Sequence, residues 1–228
     1  MNTPIMPAPT AARPLLGATI LLVEDSRFAS EAMRLMCLRS GARIRRADTL
    51  AAADRHLRAY APSAAIVDLG LPDGCGDALI ARLHAARPRA CAIIGTSGDP
   101  GAEGLARAAG ADGFLAKPLS SLAAFQQAVL AVLPREAQPR GPRALPNESI
   151  RPDRIAFRDD MAHASALIEA RPDPAVAAYV AQFLAGVARD AEDADLGRAV
   201  SRLGAGGGAA LAELGRLVRA RLDACEVI

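Results

Sequence analysis

The chain has 228 residues, 51% of them hydrophobic and 23% charged, a balance that builds a packed core and excludes a disordered polyelectrolyte. Aromatics make up only 3% and there is no Trp, so that core must come from Leu, Ile, Val and Ala. A formal charge of +2 is too small to carry binding to nucleic acid or to an acidic membrane surface.

Residues 1–16, "MNTPIMPAPTAARPLL", hold four prolines and no apolar h-region. They read as a disordered segment, neither signal peptide nor anchor. No apolar run later in the chain is long enough to span a bilayer, and a cytoplasmic location is expected. Cys37, Cys75, Cys91 and Cys225 form no C-x-x-C pair and no zinc spacing with the histidines. They read as free buried thiols in a reducing compartment.

From residue 17 to 134 strand-like and helix-like runs alternate five times. "ATILLVED" is a continuous apolar strand, and "RFASEAMRLMCLRS" after it has helical spacing closed by Gly41. "ARIRRA" alternates and carries arginines, as an edge strand would, and precedes the helix "TLAAADRHLRAY". "SAAIVDL" leads to "DALIARLHAAR", "ACAIIGTS" to "GAEGLARAAG", and "DGFLAKP" to "SLAAFQQAVLAVL". Alternating βα units with apolar strands predict an α/β fold, a parallel sheet covered on both faces. In such a doubly wound sheet, ligands bind beyond the carboxyl ends of the strands.

Residues 135–152, rich in Pro and Arg, read as a linker. Residues 153–228 carry four helical patterns, at about 159–170, 175–189, 195–203 and 209–225, and read as a small all-α domain. "GAGGG" at 204–208 reads as a turn between the last two, with no strand before it and no Lys-Ser/Thr after it to make a phosphate loop.

Four of the five strands end in a charged or hydroxyl residue. The first gives Glu24 and Asp25, the third Asp68, the fourth Thr96 and Ser97, and the fifth Lys117, the one lysine in the chain. Singly, each is an ordinary turn or cap residue. Together they meet at one rim. Carboxylates crowded there repel one another and raise a pKa unless a cation intervenes. A hard ion such as Mg²⁺ relieves the repulsion, and an ammonium adds a second positive charge. Metal, lysine and hydroxyl each suit one oxygen of a phosphoryl group, with Asp68 as the nucleophile.

These residues resemble a known family, the receiver domains of two-component response regulators. "ILLVEDS" resembles its first strand and acidic pair, "IVDLGLPDGCG" the phosphoacceptor strand and loop, "TSG" the hydroxyl position and "FLAKP" the Lys-Pro motif. The resemblance implies a five-stranded sheet in the order 2-1-3-4-5 and a phosphoryl group on Asp68 taken from a histidine kinase or histidine phosphotransfer protein. It implies Mg²⁺ on Asp25, Asp68 and the Gly70 carbonyl, with Glu24 acting through water. Lys117 would pair with phosphoryl oxygens, and Pro118 would follow a cis peptide. Phe114 takes the aromatic switch position, and Ser97, with Thr96 as the alternative, the switch hydroxyl. The stretch from Ser97 to Lys117 is shorter than the family pattern around "GDPGAEG". A switch of this kind is not a conventional enzyme.

For the tail three readings stay open. The stripes from Val176 to Val187 and Leu211 to Leu222 suit burial against each other, a kinase or a second copy in a homodimer. DNA binding is opposed by twelve arginines against thirteen acidic residues in 139–228. Phosphotransfer through His163 lacks the lysine that usually follows such a histidine.

Overall fold

The computed structural model describes residues 8–89 and 91–225, with the backbone alone at 204–209. The described residues divide into two compact units: those up to Asp25 with Ala32–Arg151, and Ser26–Glu31 with those from Pro152 onward.

In the first unit, β1 (Thr19–Val23), β2 (Arg43–Ala47), β3 (Ala64–Asp68), β6 (Ala92–Ser97) and β7 (Gly113–Ala116) form one parallel sheet in the order β2-β1-β3-β6-β7. This is the expected 2-1-3-4-5 arrangement. Missing from the sequence reading is a hairpin of two two-residue strands, β4 (Gly70–Leu71) against β5 (Gly74–Cys75). It is too short to show a hydrophobic period. The arginine-bearing β2 lies at the edge, its Arg43, Arg45 and Arg46 exposed.

Because side chains alternate across a strand, one apolar run feeds two cores. Ile20, Leu22, Ala64, Ile66 and Ile94 face one layer, where Met33, Met36 and Cys37 of α1 (Arg27–Ser40) and Phe125 and Val129 of α5 (Leu122–Val132) cover them. Leu21, Val23, Ala65, Val67 and Ile93 face the other. There they meet Ala52 and Ala53 of α2 (Leu50–Ala59), Leu79, Ile80 and Leu83 of α3 (Gly76–Ala85), and Ala106 of the short α4 (Ala102–Ala108). Gly41, with φ +84°, ends α1 in the left-handed region that glycine enters without strain.

Three expectations change in this unit. Residues 10–17 are folded, not disordered: Leu15 is fully buried in the first core and its N–H bonds the Ser40 carbonyl at 2.9 Å. Residues 1–7 lie outside the described part. Of the four thiols only Cys37 is buried, its pKa pushed up to about 12 by burial, while Cys75 is exposed.

Residues 134–151 do not run free as a linker but turn back along α5 as a strap. Gln138 donates to the carbonyls of Leu130 and Leu133 at 2.9 and 2.8 Å, satisfying orphan groups at the C-terminus of α5. Arg143 bonds Gln126, whose amide donates to Ser40 Oγ at 3.1 Å. The strap ends where Leu122 N donates to Glu148 O at 3.1 Å and Ile150 N to Ser120 O at 2.8 Å, around an antiparallel bridge between Ser121 and Ser149. Ile150 is buried in the first core. An apolar side chain and a set of unpaired carbonyls explain why a Pro- and Arg-rich segment docks.

The second unit holds α6 (Arg154–Glu169), α7 (Pro174–Asp190), α8 (Ala194–Ser201) and α9 (Leu203–Ala224). Asp153, Asp173 and Asp193 cap the first three. The α7 stripe of Val180, Phe183, Leu184 and Val187 is consumed inside this unit, against Met161, Leu196, Leu214 and Val218. Asp160, almost fully buried, accepts from Ser26 Oγ at 2.7 Å and from the N–H groups of Arg27 and Phe28 at 2.7 and 3.1 Å. Burial raises its pKa against those bonds. "GAGGG" is helical, the start of α9, and the break between α8 and α9 falls instead at Arg202. Glycine costs about 1 kcal/mol per residue in a helix, so packing of Leu214 and Val218 must hold this one.

Candidate functional site

The site is built at the carboxyl ends of β1, β3 and β7. β1 stops at Val23 and the next N–H, of Glu24, still bonds Ala47 O of β2 at 2.9 Å. That register turns Glu24 inward, 1% exposed. β3 ends on Asp68 itself, 8% exposed, and the Leu69 N–H crosses to Thr96 O at 3.2 Å. Lys117 follows β7, its N–H bonded to Ser97 O at 2.9 Å, and the Lys117–Pro118 peptide is cis as expected.

The Lys117 ammonium lies 2.6 Å from Glu24 Oε2 and 3.0 Å from Asp68 Oδ2. Glu24, Asp25 and Asp68 each bring a carboxylate oxygen to within 4.8 Å of the others. Burial pushes the Glu24 carboxyl well above its ordinary range; Lys117 opposes this, and Asp68 and Asp25 add to it. The ammonium contacts two members of a cluster of three carboxylates, a set of hard oxygen donors. That donor set fits a divalent cation of the Mg²⁺ type.

The other expected residues are placed as follows. Gly70 opens the β4–β5 hairpin two residues past Asp68. Asp73 in the same loop accepts from Leu50 and Ala51 N–H at 2.8 and 3.0 Å, which ties the loop to the start of α2. Thr96 is paired with Asp68 in the sheet register, buried, with its hydroxyl donated to Leu115 O at 2.8 Å. Ser97 is half-buried at the strand end, and its Oγ accepts from Asp99 N at 3.1 Å. Phe114 packs on the second core, half-buried. His163, by contrast, is exposed on α6 with its ring edge-on to Phe183.

Two glycines belong with these residues and were not read as functional. A Cβ on Gly76 would stand 1.9 Å from the Asp68 carbonyl oxygen and 2.8 Å from its carbon. A Cβ on Gly95 would stand 2.6 Å from Ala106 Cβ and 3.3 Å from the Phe114 ring. The signal for the first was in view, since "DGCG" ends the motif quoted for the phosphoacceptor loop. Nothing in one sequence distinguishes a glycine needed for close approach from one needed for a turn.

The family model of the response regulator receiver domain matches residues 20–129. Among solved structures, a response regulator receiver protein from Burkholderia phymatum is 26% identical, covering 50% of this chain and 94% of its own, with a TM-score of 0.46. A response regulator receiver domain from Methylobacillus flagellatus is 25% identical over 49% of this chain and 98% of its own, with a TM-score of 0.44. The receiver domain of a sensor histidine kinase from Pseudomonas aeruginosa, with a magnesium ion coordinated in its active site cleft, is 24% identical over 50% of this chain and 96% of its own, with a TM-score of 0.46. No curated protein matches the chain. Residues 152–228 receive no family. The family match opens on the second residue of β1 and closes inside α5, taking in every strand of the five-stranded sheet, so the part of this chain that matches the response regulator receiver domain is residues 20–129.

Proposed function

We propose that the chain is a phosphoacceptor switch of a two-component relay, with Asp68 as the acceptor and the helical second unit as the output or interaction module. The observation that carries this is the Lys117 ammonium, 3.0 Å from Asp68 Oδ2 and 2.6 Å from Glu24 Oε2 within the acidic cluster. The donor class follows from the family: a phosphohistidine on a histidine kinase or phosphotransfer protein.

In the transfer an Asp68 carboxylate oxygen attacks phosphorus. The new P–O bond replaces the P–N bond to the donor imidazole, which leaves with its electron pair and takes a proton from water. Hydrolysis of the acyl phosphate by water returns the carboxylate and inorganic phosphate. Asp25, Asp68 and the Gly70 carbonyl would hold Mg²⁺, with Glu24 beside it; the ion supplies positive charge for the phosphoryl oxygens. Lys117 balances one negative charge before transfer and pairs with a phosphoryl oxygen after it. Its compact ammonium suits a narrow buried crevice better than a planar guanidinium would. Ser97 or Thr96 offers the hydroxyl for a further oxygen. Asp68 is the only group consumed and regenerated, so the chain acts as a switch and not as a turnover enzyme.

Incubation of the full chain with Mg²⁺ and acetyl phosphate, followed by intact mass, tests the reading. One phosphoryl adduct is expected, and none on Asp68→Asn. An adduct that persists in that variant removes Asp68 as the acceptor.

A further inference from the structure

The strap has a position that its packing alone does not require. It is tied at three places: Gln138 on the last carbonyls of α5, Arg143 on Gln126, and residues 148–150 on Ser120–Leu122. The first two lie on α5 and its C-terminal end. The third grips the turn that begins at Lys117, only three residues before Ser120.

There the contact is made by main chain. Leu122 N–H to Glu148 O and Ile150 N–H to Ser120 O bracket Ser121, whose Oγ caps α5 by accepting from Ala124 N at 3.2 Å. Paired backbone bonds resist sliding, because a shift of one strand past the other breaks both. Below them Ile150 and Leu122, 5% and 3% exposed, share the first core with Phe125. The turn and the strap end therefore move as one piece or come apart. Past Ile150 the chain reaches Asp153, the cap of α6, in three residues that include Pro152. A phosphoryl group on Asp68 changes the charges that Lys117 faces, and with them the load on the turn.

We propose that residues 148–150 carry the state of the Asp68 site to the start of α6, along the path from Lys117 through Ser120–Leu122. The proposal rests on Asp68 being the phosphoacceptor. A strap that only covered apolar surface would hold its hydrogen bonds equally in both states of the site.

The test is hydrogen–deuterium exchange of the full chain, with intact mass recording the adduct in the same samples. Exchange at the Leu122 and Ile150 amides is expected to differ about fivefold or more between phosphorylated and unphosphorylated chain. By linkage, Ile150→Ala should shift the affinity for beryllofluoride with Mg²⁺ about threefold, with Ile150→Val close to the parent. An adduct with both amides unchanged overturns the proposal and leaves the phosphoacceptor reading standing. Absence of any adduct overturns both. If Ile150→Ala does not fold, exchange in the unaltered chain decides alone.

Discussion

A Cβ on Gly76 would meet backbone, the Asp68 carbonyl oxygen at 1.9 Å, and not the free end of a flexible side chain. Either α3 retreats or Asp68 moves. Gly76→Ala should therefore cost about 1–3 kcal/mol, as overpacking does. It should also slow phosphorylation by acetyl phosphate about tenfold or more, since an attacking group displaced by an ångström loses its alignment. Urea unfolding and the rate of adduct formation, measured on the same preparation, check the two halves. Glu24 is the complementary case, a residue whose chemistry is set by its surroundings. Its carboxyl is 1% exposed, and burial raises its pKa more than the adjacent ammonium lowers it. Sequence places an acid at the end of β1, but only the fold says which of the adjacent pair faces inward.

Among the elements, α8 is the shortest helix of the second unit and depends most visibly on one side chain. Asp193 caps it by accepting from Leu196 N at 3.0 Å and is gripped by Arg221 of α9 at 2.6 and 3.1 Å. The guanidinium holds the Asp193 carboxyl below its ordinary range. A lowered carboxylate pKa means that the folded state binds fewer protons, so the contribution is complete above the ordinary carboxylate range and is lost as pH falls through the folded value. Asp193→Ala should cost about 2 kcal/mol at neutral pH, roughly 1 for the cap and up to 1 for the part-exposed ion pair. The gap between parent and variant in urea should narrow as pH falls below the ordinary carboxylate range. Asp153 and Asp173 act as caps in the same way, so "RPDR" and "RPDP" mark helix starts by the chemistry of a short carboxylate. The glycine run at 204–208 shows the opposite limit: its local preference for a turn yields to the core packing of α9, which no local pattern displays.

Across the whole chain, legibility follows the range of the interactions. The parallel sheet and its two covered faces could be read because each βα unit writes its own period, and apolar residues at consecutive positions must cover both faces, whereas the strand order came from the resemblance alone. The rim residues Glu24, Asp25, Asp68 and Lys117 could be read because strand ends are local while parallel topology gathers them. The strap could not, since Pro- and Arg-rich composition describes free chain equally well. Its docking depends on Gln138, Arg143 and Ile150 finding groups many residues away. Cys75 was misread for a related reason, because it sits on a hairpin too short to announce itself. One property of composition has a spectroscopic consequence. All other Lys+Arg positions are arginine, so ¹⁵N supplied only as lysine should enter the protein at a single residue. Its one backbone amide, bonded to Ser97 O at 2.9 Å, lies between the acceptor cluster and the turn that leads to the strap. A heteronuclear correlation spectrum of the intact chain should then contain one peak, and its displacement on phosphorylation would report the reaction without assignment of any other resonance.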